Sequence, residues 1–344
     1  MQTKITSPEQ GVFEQYRQIF KNFPNANQDQ EKQFQEHDRT LTKPLGSLGQ
    51  LEELCRWYAR WSKRYPMKIN HPRVAIFAGN HGVARQNVSA YPASVTMQMV
   101  ENFKNGGAAI NQICKILDSD LRVYELALQH PTRDFTEATA MDEKECADAI
   151  SYGMTAVENH IDVICIGEMG IANTTSAATL AYGLLGGKAS DWTGVGTGID
   201  KKTLQHKTDI VEQAVKLHKK PDMDSFDWLA AVGGREIAAM VGACIAARIA
   251  HIPVILDGYT SSVAGAILYK INKSAIDHCI IAHQSSEAGH RHLLKKIGKK
   301  PLLQLDLRLG EASGAAIALN ILKIAIKCHH SMASFAEAGV DQKI

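Results

Sequence analysis

The chain has 344 residues, of which 45% are hydrophobic and 22% are charged, and its formal net charge is +2. This composition is ordinary for a globular protein with a sizeable buried core. The nearly balanced charge gives no support to a nucleic-acid-binding protein or to one that docks on an anionic membrane.

The seven cysteines are scattered along the chain and form no CxxC pair. An odd, scattered set favours reduced thiols over a disulfide framework or a zinc site. The first 30 residues are polar and lack the apolar core of a signal peptide, and no apolar run reaches the length of a membrane span. We therefore expect a cytoplasmic protein without a membrane-spanning segment.

Both ends of the chain are predicted to be helical. Near the N-terminus, Phe13 and Tyr16 begin a set of apolar residues at helical spacing, and the C-terminal tail also has a helical pattern. We predict that residues 1–65 and 315–344 together form a small helical domain. Residues 66–314 would then form an α/β catalytic domain.

Four short apolar runs occupy the middle of the chain, and each ends in glycine or a polar residue. They cover residues 73–79, 162–167, 253–258 and 279–283. Short apolar strands that alternate with helices are typical of a parallel sheet buried on both faces. We therefore predict an α/β fold with a doubly wound, Rossmann-like parallel sheet, whose ligands bind beyond the carboxyl ends of the strands.

The segment GEMGIANTTSAA, which follows the second run, is a candidate anion site. It opens a helix of small residues; Asn173 and Thr174 are favourable N-cap types, and Gly170 frees the preceding turn. The exposed N–H groups of such a helix start bind phosphate. A well-capped packing helix would show the same pattern. The candidate phosphate-binding residues are Gly170, Ile171, Ala172, Asn173 and Thr174.

A glycine run, GVGTG at residues 194–198, is a second candidate for phosphate binding. Alone, such a run usually marks a tight turn. Beside the helix start described above, Gly196 and Gly198 could supply further backbone N–H groups to a phosphate. Lys207, one helical segment later, could add a positive charge.

A planar aromatic ligand could bind after the first run. Tyr91, Gln98 and Met99 follow that strand end in a loop and a helix. An aromatic ring, an amide and a thioether can line a flat pocket. Core packing of Met99 and surface exposure of Tyr91 form the alternative interpretation.

The segment AHQSSEAGH, at the end of the fourth run, is rich in histidine and suggests a metal site. A metal-dependent hydrolase could use His283, His290 and His292 with His81 from the first strand end. Their spacing matches no established zinc motif. We favour a polar strand-end loop in which Ser285 forms a hydrogen bond with a ligand.

Glu311 is the strongest catalytic candidate. It stands between glycines in RLGEASGAA, after an apolar run, so the backbone can approach a ligand closely. A carboxylate among small residues can have a raised pKa and act as a general base. The alternative is a glutamate that merely favours a helix N-terminus.

Taken together, these segments resemble the nicotinate-nucleotide–dimethylbenzimidazole phosphoribosyltransferase family. The resemblance extends from Leu41 to about Val340. The matching strings are LTKPLGSLGQLEEL, IFAGNHGV, VSAYPASVTMQMVENFKNGGAAIN, GEMGIANTTSAA, GVGTG, VGGREIAAMVGA, PVILDGY, AHQSSEAGH and LRLGEASGAA.

The resemblance implies a specific reaction. The family transfers phosphoribose from nicotinate mononucleotide to 5,6-dimethylbenzimidazole or a related base. The products are nicotinate and α-ribazole 5′-phosphate, for the nucleotide loop of cobalamin. Glu311 matches the general base and Glu168 a second active-site carboxylate. Such an enzyme is usually a homodimer and uses no metal or organic cofactor.

The resemblance also assigns the binding residues. Residues 170–174, Gly196, Gly198 and Lys207 match the phosphate-binding elements. The remaining matches lie in the base pocket and are Tyr91, Gln98, Met99, Ser285 and Leu309.

Two positions depart from the family pattern. Asn80 stands where the family usually has Asp, and Ala312 where it often has Gly. We expect Asn80 to be a structural turn residue, and the Ala312 change to be mild unless the backbone there needs a positive φ. Besides the hydrolase, a non-catalytic nucleotide-binding protein of the same fold is the other alternative.

Overall fold

The computed structural model describes residues 11–341. These residues form one six-stranded sheet in which every strand pairing is parallel, in the order β2-β1-β3-β4-β5-β6. The strands are β1 (Pro72–Gly79), β2 (Asp120–Leu126), β3 (Val163–Met169), β4 (Val254–Leu256), β5 (Cys279–His283) and β6 (Pro301–Leu303).

Helices cover both faces of the sheet. The α-helices are α1 (Glu14–Ile19), α2 (Gln28–Asp38), α3 (Gln50–Trp61), α4 (Ser94–Lys104), α5 (Ala109–Leu117), α6 (Glu143–Met154), α7 (Asn173–Leu185), α8 (Ala189–Trp192), α9 (Lys201–His218), α10 (Ser225–Val232), α11 (Arg235–Ile249), α12 (Tyr259–Ile271), α13 (Ala288–Ile297), α14 (Ser313–Ser331) and α15 (Phe335–Ala338). Short 3₁₀ turns lie at Phe20–Asn22, Gly82–Gln86 and Lys273–Ile276. Among the described residues, no helix is long and apolar enough to cross a membrane.

Alternate residues of the inner strands belong to two different cores. In β1, Ala75 and Phe77 pack with α6, α10, α11 and α12, whereas Val74 and Ile76 pack with α3, α5 and α14. A strand buried on both faces has no polar side, which is why its sequence is a continuous apolar run. The predicted doubly wound parallel sheet is confirmed, with the strand order of the flavodoxin type.

Two strands at the edges of the sheet were not predicted from the sequence. Strand β2 contains three charged residues among its seven and is mostly exposed or half-buried, and β6 has only three residues, all half-buried. An edge strand packs on fewer neighbours and keeps polar side chains. Strand β2 therefore shows no apolar run, and β6 lies in the run before Glu311, which polar residues interrupt and which was not assigned as a strand.

The helical ends of the chain both pack against the α/β core. Phe13 and Tyr16 lie against Phe226 of α10, with ring centroids 5.4 Å and 5.9 Å away. The C-terminal helix α14 contacts α3 and also covers β3, β4 and β5. The division into a helical and a catalytic domain stays a prediction. Its outermost residues, 1–10 and 342–344, lie outside the described residues.

Helices α6 and α11 approach each other through glycines. A Cβ added to Gly242 would lie 1.9 Å from the carbonyl oxygen of Ile150, and one added to Gly153 would lie 1.9 Å from that of Ala239. Real atoms do not approach this closely, so the glycines set the distance between the two helices. Helix α11 in turn packs on β1 and β3.

We predict that Gly242→Ala lowers the free energy of unfolding by about 1–3 kcal/mol, because overpacking costs this much. The loss should occur even though alanine is intrinsically about 1 kcal/mol better in a helix. Denaturant unfolding followed by circular dichroism measures it, with the exposed Lys202→Ala in α9 as the control. A Gly242→Ala midpoint at or above the wild-type value would contradict the close-packing argument.

Candidate active site

A cavity of about 380 Å³ opens at the carboxyl ends of β3, β4 and β5. Its floor is formed by the end of β3 and the start of α7, and one wall by the segment before α14. Val95 and Met99, one turn apart on α4, line it from another side. The cavity therefore lies where ligands bind in open parallel sheets.

Thirteen of the fifteen residues predicted to act at the site line this cavity. Gln98 and Gly198 do not line it. Gln98 is exposed next to Met99, and Gly198 is exposed in the turn after Gly196. The thirteen are Tyr91, Met99, Glu168, Gly170, Ile171, Ala172, Asn173, Thr174, Gly196, Lys207, Ser285, Leu309 and Glu311.

Glu311 is held in a left-handed backbone conformation at the cavity wall. Its φ is +62°, and its N–H donates to the carbonyl oxygen of Glu168 at 3.1 Å. The residue is only 3% exposed, and its carboxylate forms no hydrogen bond with any described residue. Burial raises its pKa to about 7. The carboxylate is thus available to a ligand and titrates near neutral pH.

Glu168 lies beside this segment at the end of β3. Burial raises the pKa of Glu168 to about 8, although a hydrogen bond from the Asn173 amide opposes the shift. A Cβ added to Gly310, whose φ is +78°, would lie 2.7 Å from Glu168 Oε1. A glycine is therefore required where the chain passes this carboxyl group.

A third carboxyl group, that of Asp257, was missed by the sequence analysis. It follows β4 and accepts a hydrogen bond from the N–H of Ala315, in the first turn of α14, at 2.8 Å. Burial raises its pKa to about 7, while N–H groups of this helix start oppose the rise. His283 Nε2 lies 3.6 Å from its Oδ1. Asp257 therefore anchors the helix that begins just after Glu311.

Another part of the cavity wall contains its cationic groups. Lys207 Nζ donates to Thr174 Oγ1 at 2.8 Å and to the carbonyl oxygen of Gly194 at 3.1 Å. The lysine is 1% exposed, and burial lowers its pKa to about 8. Arg308, also missed, donates to the carbonyl oxygen of Gly196 at 3.3 Å. This arrangement suits an anionic ligand group.

Glu287 is a further missed residue in this part of the cavity wall. Its Oε1 accepts a hydrogen bond from the N–H of Gly196 at 2.8 Å, which fixes the glycine run against α13. Its Oε2 is buried and has no partner among the described residues. A negative charge here balances the buried ammonium group of Lys207, since the attraction favours the charged lysine.

The predicted capping of α7 by Asn173 or Thr174 is wrong. The N-cap is Ala172, in a left-handed conformation with φ +72°, and no side chain caps the helix. Asn173 instead donates to Glu168, and Thr174 accepts from Lys207. The N–H groups of Ala172 and Thr174 donate to no described residue. The helix start thus keeps free donors at the cavity, as an anion site requires.

The histidines proposed for a metal-dependent hydrolase do not form a cluster. His81 pairs with the buried Glu236 at 2.6 Å. His290 forms hydrogen bonds with Ser262 and with the N–H of Ser285, at 3.0 Å and 2.9 Å. In the described part of the chain, none of His81, His283, His290 and His292 belongs to a group of three potential metal ligands.

The two departures from the family pattern have different surroundings. Asn80 donates to the carbonyl oxygen of Leu128 at 2.8 Å and does not line the cavity, which supports its interpretation as a structural turn residue. Ala312 has a φ of +58°. The backbone there does take the conformation that favours glycine, so this change is not mild.

We predict that the contribution of three buried carboxyl groups to the stability of the ligand-free protein falls as the pH rises from about 5 to 8, against an opposite contribution from buried histidines whose pKa values are lowered. The pKa values of Glu168, Asp257 and Glu311 are raised on folding, so the folded state binds more protons in this range and the stabilising contribution disappears as the pH rises. Glu168→Gln should reduce this loss of stability by roughly 1–3 kcal/mol. This figure is smaller than the full pKa shift implies, because Glu168 is partly exposed to the cavity and solvent screens its charge. Denaturant unfolding at several pH values measures both slopes, and parallel slopes would contradict the prediction.

Comparison with known proteins supports a single family. A family model described as phosphoribosyltransferase matches residues 23–340. Proteins named nicotinate-nucleotide–dimethylbenzimidazole phosphoribosyltransferase from Brucella canis and Brucella abortus are each 52% identical over 328 residues, covering 95% of this chain and 97% of the relative.

Solved structures give the same result. The crystal structure of CobT from Thermus thermophilus is 34% identical and has a TM-score of 0.86, covering 92% of this chain and all of that one. A second crystal structure, of the nicotinate-nucleotide-dimethylbenzimidazole phosphoribosyltransferase from the same organism, is 33% identical and has a TM-score of 0.85, covering 92% of this chain and 99% of that one. The sequence resemblance is therefore confirmed, and the chain belongs to the nicotinate-nucleotide–dimethylbenzimidazole phosphoribosyltransferase family.

Proposed function

We propose that this protein transfers the phosphoribosyl group of nicotinate mononucleotide to 5,6-dimethylbenzimidazole or a related base. The products are α-ribazole 5′-phosphate and nicotinate, the former serving cobalamin nucleotide-loop synthesis. The observation that carries the proposal is the carboxylate of Glu311, which faces the cavity without a protein partner and has a pKa of about 7. The names of the Brucella relatives support the same reaction.

The reaction needs little from the protein beyond positioning and proton removal. Nicotinate mononucleotide carries a cationic pyridinium leaving group, so its departure requires no general acid. The enzyme must orient two substrates, remove one proton and stabilise an oxocarbenium-like C1′. Two carboxyl groups and a phosphate-binding helix start are sufficient for these tasks.

Glu311 acts as the general base in this mechanism. One ring nitrogen of the benzimidazole attacks C1′, and Glu311 removes the proton from the other nitrogen. A base is most effective when its pKa lies near the operating pH, because it is then both ionised and sufficiently basic. A free carboxylate with a pKa of about 7 meets this requirement.

Glu168 is assigned to the ribose. It lies next to Glu311 along the β3 end, and the amide of Asn173 holds one of its oxygens. In the free protein its pKa is about 8, so the carboxyl group is mostly protonated at neutral pH. The positive charge of the bound pyridinium nucleotide would favour the ionised form, with the proton released to solvent. As the bond from C1′ to the pyridinium nitrogen breaks, the positive charge moves to C1′, so an ionised Glu168 beside the ribose would stabilise the transition state.

The phosphate of nicotinate mononucleotide is assigned to the cationic part of the cavity wall. The free N–H groups at the start of α7 supply hydrogen bonds, and Lys207 and Arg308 supply charge. Phosphate binding would keep Lys207 protonated despite its lowered pKa, since an adjacent anion favours the ammonium form.

The base is assigned to the apolar side of the cavity. Tyr91, Val95, Met99 and Leu309 surround this region with aromatic, thioether and aliphatic groups. Tyr91 is 54% exposed and Leu309 56% exposed, so the mouth of the cavity has an uncovered apolar rim. Such a rim is favourable for contact with a second subunit, and we propose a homodimer.

A panel assay tests the proposed function directly. The protein is incubated with nicotinate mononucleotide and a series of benzimidazoles, and mass spectrometry detects nicotinate and riboside phosphate. We expect both products in equal amounts. Nucleotide binding without any product would instead support the non-catalytic alternative, and release of ribose phosphate without a base adduct would support a hydrolase.

We predict that Glu311→Gln lowers kcat by about 10²–10⁴-fold, the usual contribution of general-base catalysis. Its KM for nicotinate mononucleotide should change little, because the glutamine keeps the shape of the side chain. In the wild type, kcat/KM, which reports the free enzyme, should fall tenfold per pH unit below about 7, where Glu311 becomes protonated. This limb should be absent in Glu311→Gln.

Steady-state kinetics across pH 4–9 provide the measurement, with the exposed Glu212→Gln as a matched control. Turnover of Glu311→Gln within a few-fold of the wild type would rule out Glu311 as the base. A wild-type acidic limb near the ordinary glutamate pKa of 4.5 would contradict the effect of burial.

We predict that Lys207→Met raises the KM for nicotinate mononucleotide by about 10–100-fold. A charged hydrogen bond to the phosphate contributes about 1.5–3 kcal/mol. The KM for the benzimidazole should remain near its wild-type value. The matched control is Lys201→Met, at the exposed start of the same helix. A Lys207→Met enzyme that weakened only the benzimidazole would show that the phosphate site is misplaced.

A further inference from the structure

A cluster of three histidines lies outside the substrate cavity. His37 is near the end of α2, and His329 and His330 are near the end of α14. One potential ligand atom from each ring lies within 4.8 Å of the others. We call these three residues the histidine cluster. Within the described residues it is the one such group of histidine, cysteine and acidic side chains.

Each ring has one nitrogen held by a neighbouring group. His37 Nε2 lies 2.9 Å from the carbonyl oxygen of His329, which can only accept, so Nε2 carries the proton and Nδ1 has a free lone pair. His330 Nε2 accepts the N–H of Met67 at 3.1 Å, so its lone pair is on Nε2. The hydrogen bond of His37 is of the kind that fixes the ring orientation and tautomer in metal sites. The hydrogen bond of His330 instead occupies the lone pair that a metal would use.

His329 provides a buried nitrogen without a partner. Its side chain is 3% exposed, and Nδ1 has no hydrogen-bond partner, while Nε2 lies 3.0 Å from the hydroxyl group of Tyr65. When the Tyr65 hydroxyl oxygen accepts a hydrogen bond from Nε2–H, the neutral ring carries no proton on Nδ1, and Nδ1 has a free lone pair. A buried polar atom without a hydrogen-bond partner raises the free energy of the folded state, and in native proteins such atoms usually have a partner.

The charge around the cluster is suitable for a cation. Asp38 Oδ1 lies 3.7 Å from His329 Nδ1. Lys43 Nζ contacts both Asp38 and Glu52, at 2.9 Å and 3.0 Å, so the lysine is shared between two carboxylates. The three groups together carry one formal negative charge, which favours a divalent cation beside the histidines.

We propose that the histidine cluster binds a divalent transition-metal ion of the class that prefers imidazole, such as Zn²⁺, Ni²⁺ or Cu²⁺. Nitrogens bound to one tetrahedral ion with bonds of about 2.1 Å lie roughly 3.4 Å apart. The present separations of up to 4.8 Å therefore require small rotations of the rings, and His330 exchanges its hydrogen bond from Met67 for the metal. Asp38 supplies the nearby negative charge.

A metal at this position would join the two ends of the chain. His37 and His329 are 292 residues apart in sequence. The same two regions are already connected where Leu41 pairs with Ser334 and the N–H of Thr42 donates to the carbonyl oxygen of Ala333. The ion would therefore stabilise the folded chain, and it has no part in the phosphoribosyl transfer proposed above.

Calorimetric titration of the full chain with Zn²⁺, after treatment with a chelator, tests the proposal. We expect one saturable site in the wild type, and at least tenfold weaker binding in His37→Ala and in His330→Ala. Both residues are half-buried, so these variants avoid removing the buried His329. Zn²⁺ should also raise the unfolding temperature of the wild type but not that of either variant.

The matched control is a second histidine pair. His71 and His160 are exposed, with ring centroids 5.9 Å apart, so His71→Ala should leave Zn²⁺ affinity and stoichiometry unchanged. The proposal is overturned if the wild type shows no saturable binding. It is also overturned if His37→Ala and His330→Ala bind Zn²⁺ as tightly as the wild type, which would place the binding on other histidines of the fourteen in the chain.

Discussion

The hydrogen bond from the N–H of Glu311 to the carbonyl oxygen of Glu168 is the contact on which the site depends. It attaches the segment before α14 to the end of β3 and brings the two carboxyl-bearing residues together. The segment reaches this position through three consecutive residues with positive φ, Gly310, Glu311 and Ala312. For the two residues that are not glycine, this conformation costs about 1–2 kcal/mol each. The surrounding packing must therefore enforce it.

The cavity brings acidic and cationic groups together. The carboxyl groups of Glu168 and Glu311 line it, and burial raises the pKa of each. Lys207 also lines it and donates to Thr174 in the first turn of α7, next to the Asn173 amide that donates to Glu168. The negative charge of Glu287 favours the ammonium form of this lysine. A substrate with an anionic phosphate and a cationic glycosidic centre matches this combination of charges.

The sequence predicted the inner strands and most of the cavity, because both leave local signals. A strand buried on two faces is an uninterrupted apolar run, and the glycines and small residues after it mark a close backbone approach. The edge strand β2 has no such run, and the run that contains β6 is interrupted by Gln304 and Asp306. Glu287 and Asp257 were missed for a different reason: their partners, Gly196 and Ala315, are 91 and 58 residues away in sequence. Only the folded chain brings them together.

The N-cap of α7 shows how tertiary contacts override a local preference. Asn173 and Thr174 are favourable caps in isolation, yet one holds a carboxyl group and the other a lysine. The side chains that would have satisfied the helix start are used by the site instead. Its free N–H groups are then available to a ligand. A prediction from local propensity fails here because the chain gives up a small amount of helix stability for ligand binding.

Gly167 restricts how this family can vary. A Cβ at this position would lie 2.1 Å from the nitrogen of Ala312 and 2.7 Å from its Cβ. Any side chain in the middle of β3 would therefore displace the segment that carries Glu311, although Gly167 itself does not line the cavity. The nearest atoms are the backbone nitrogen and Cα of residue 312, which every amino acid has, so glycine is needed at 167 whether residue 312 is alanine or glycine. Substitutions at the exposed rim of the cavity meet no such backbone constraint.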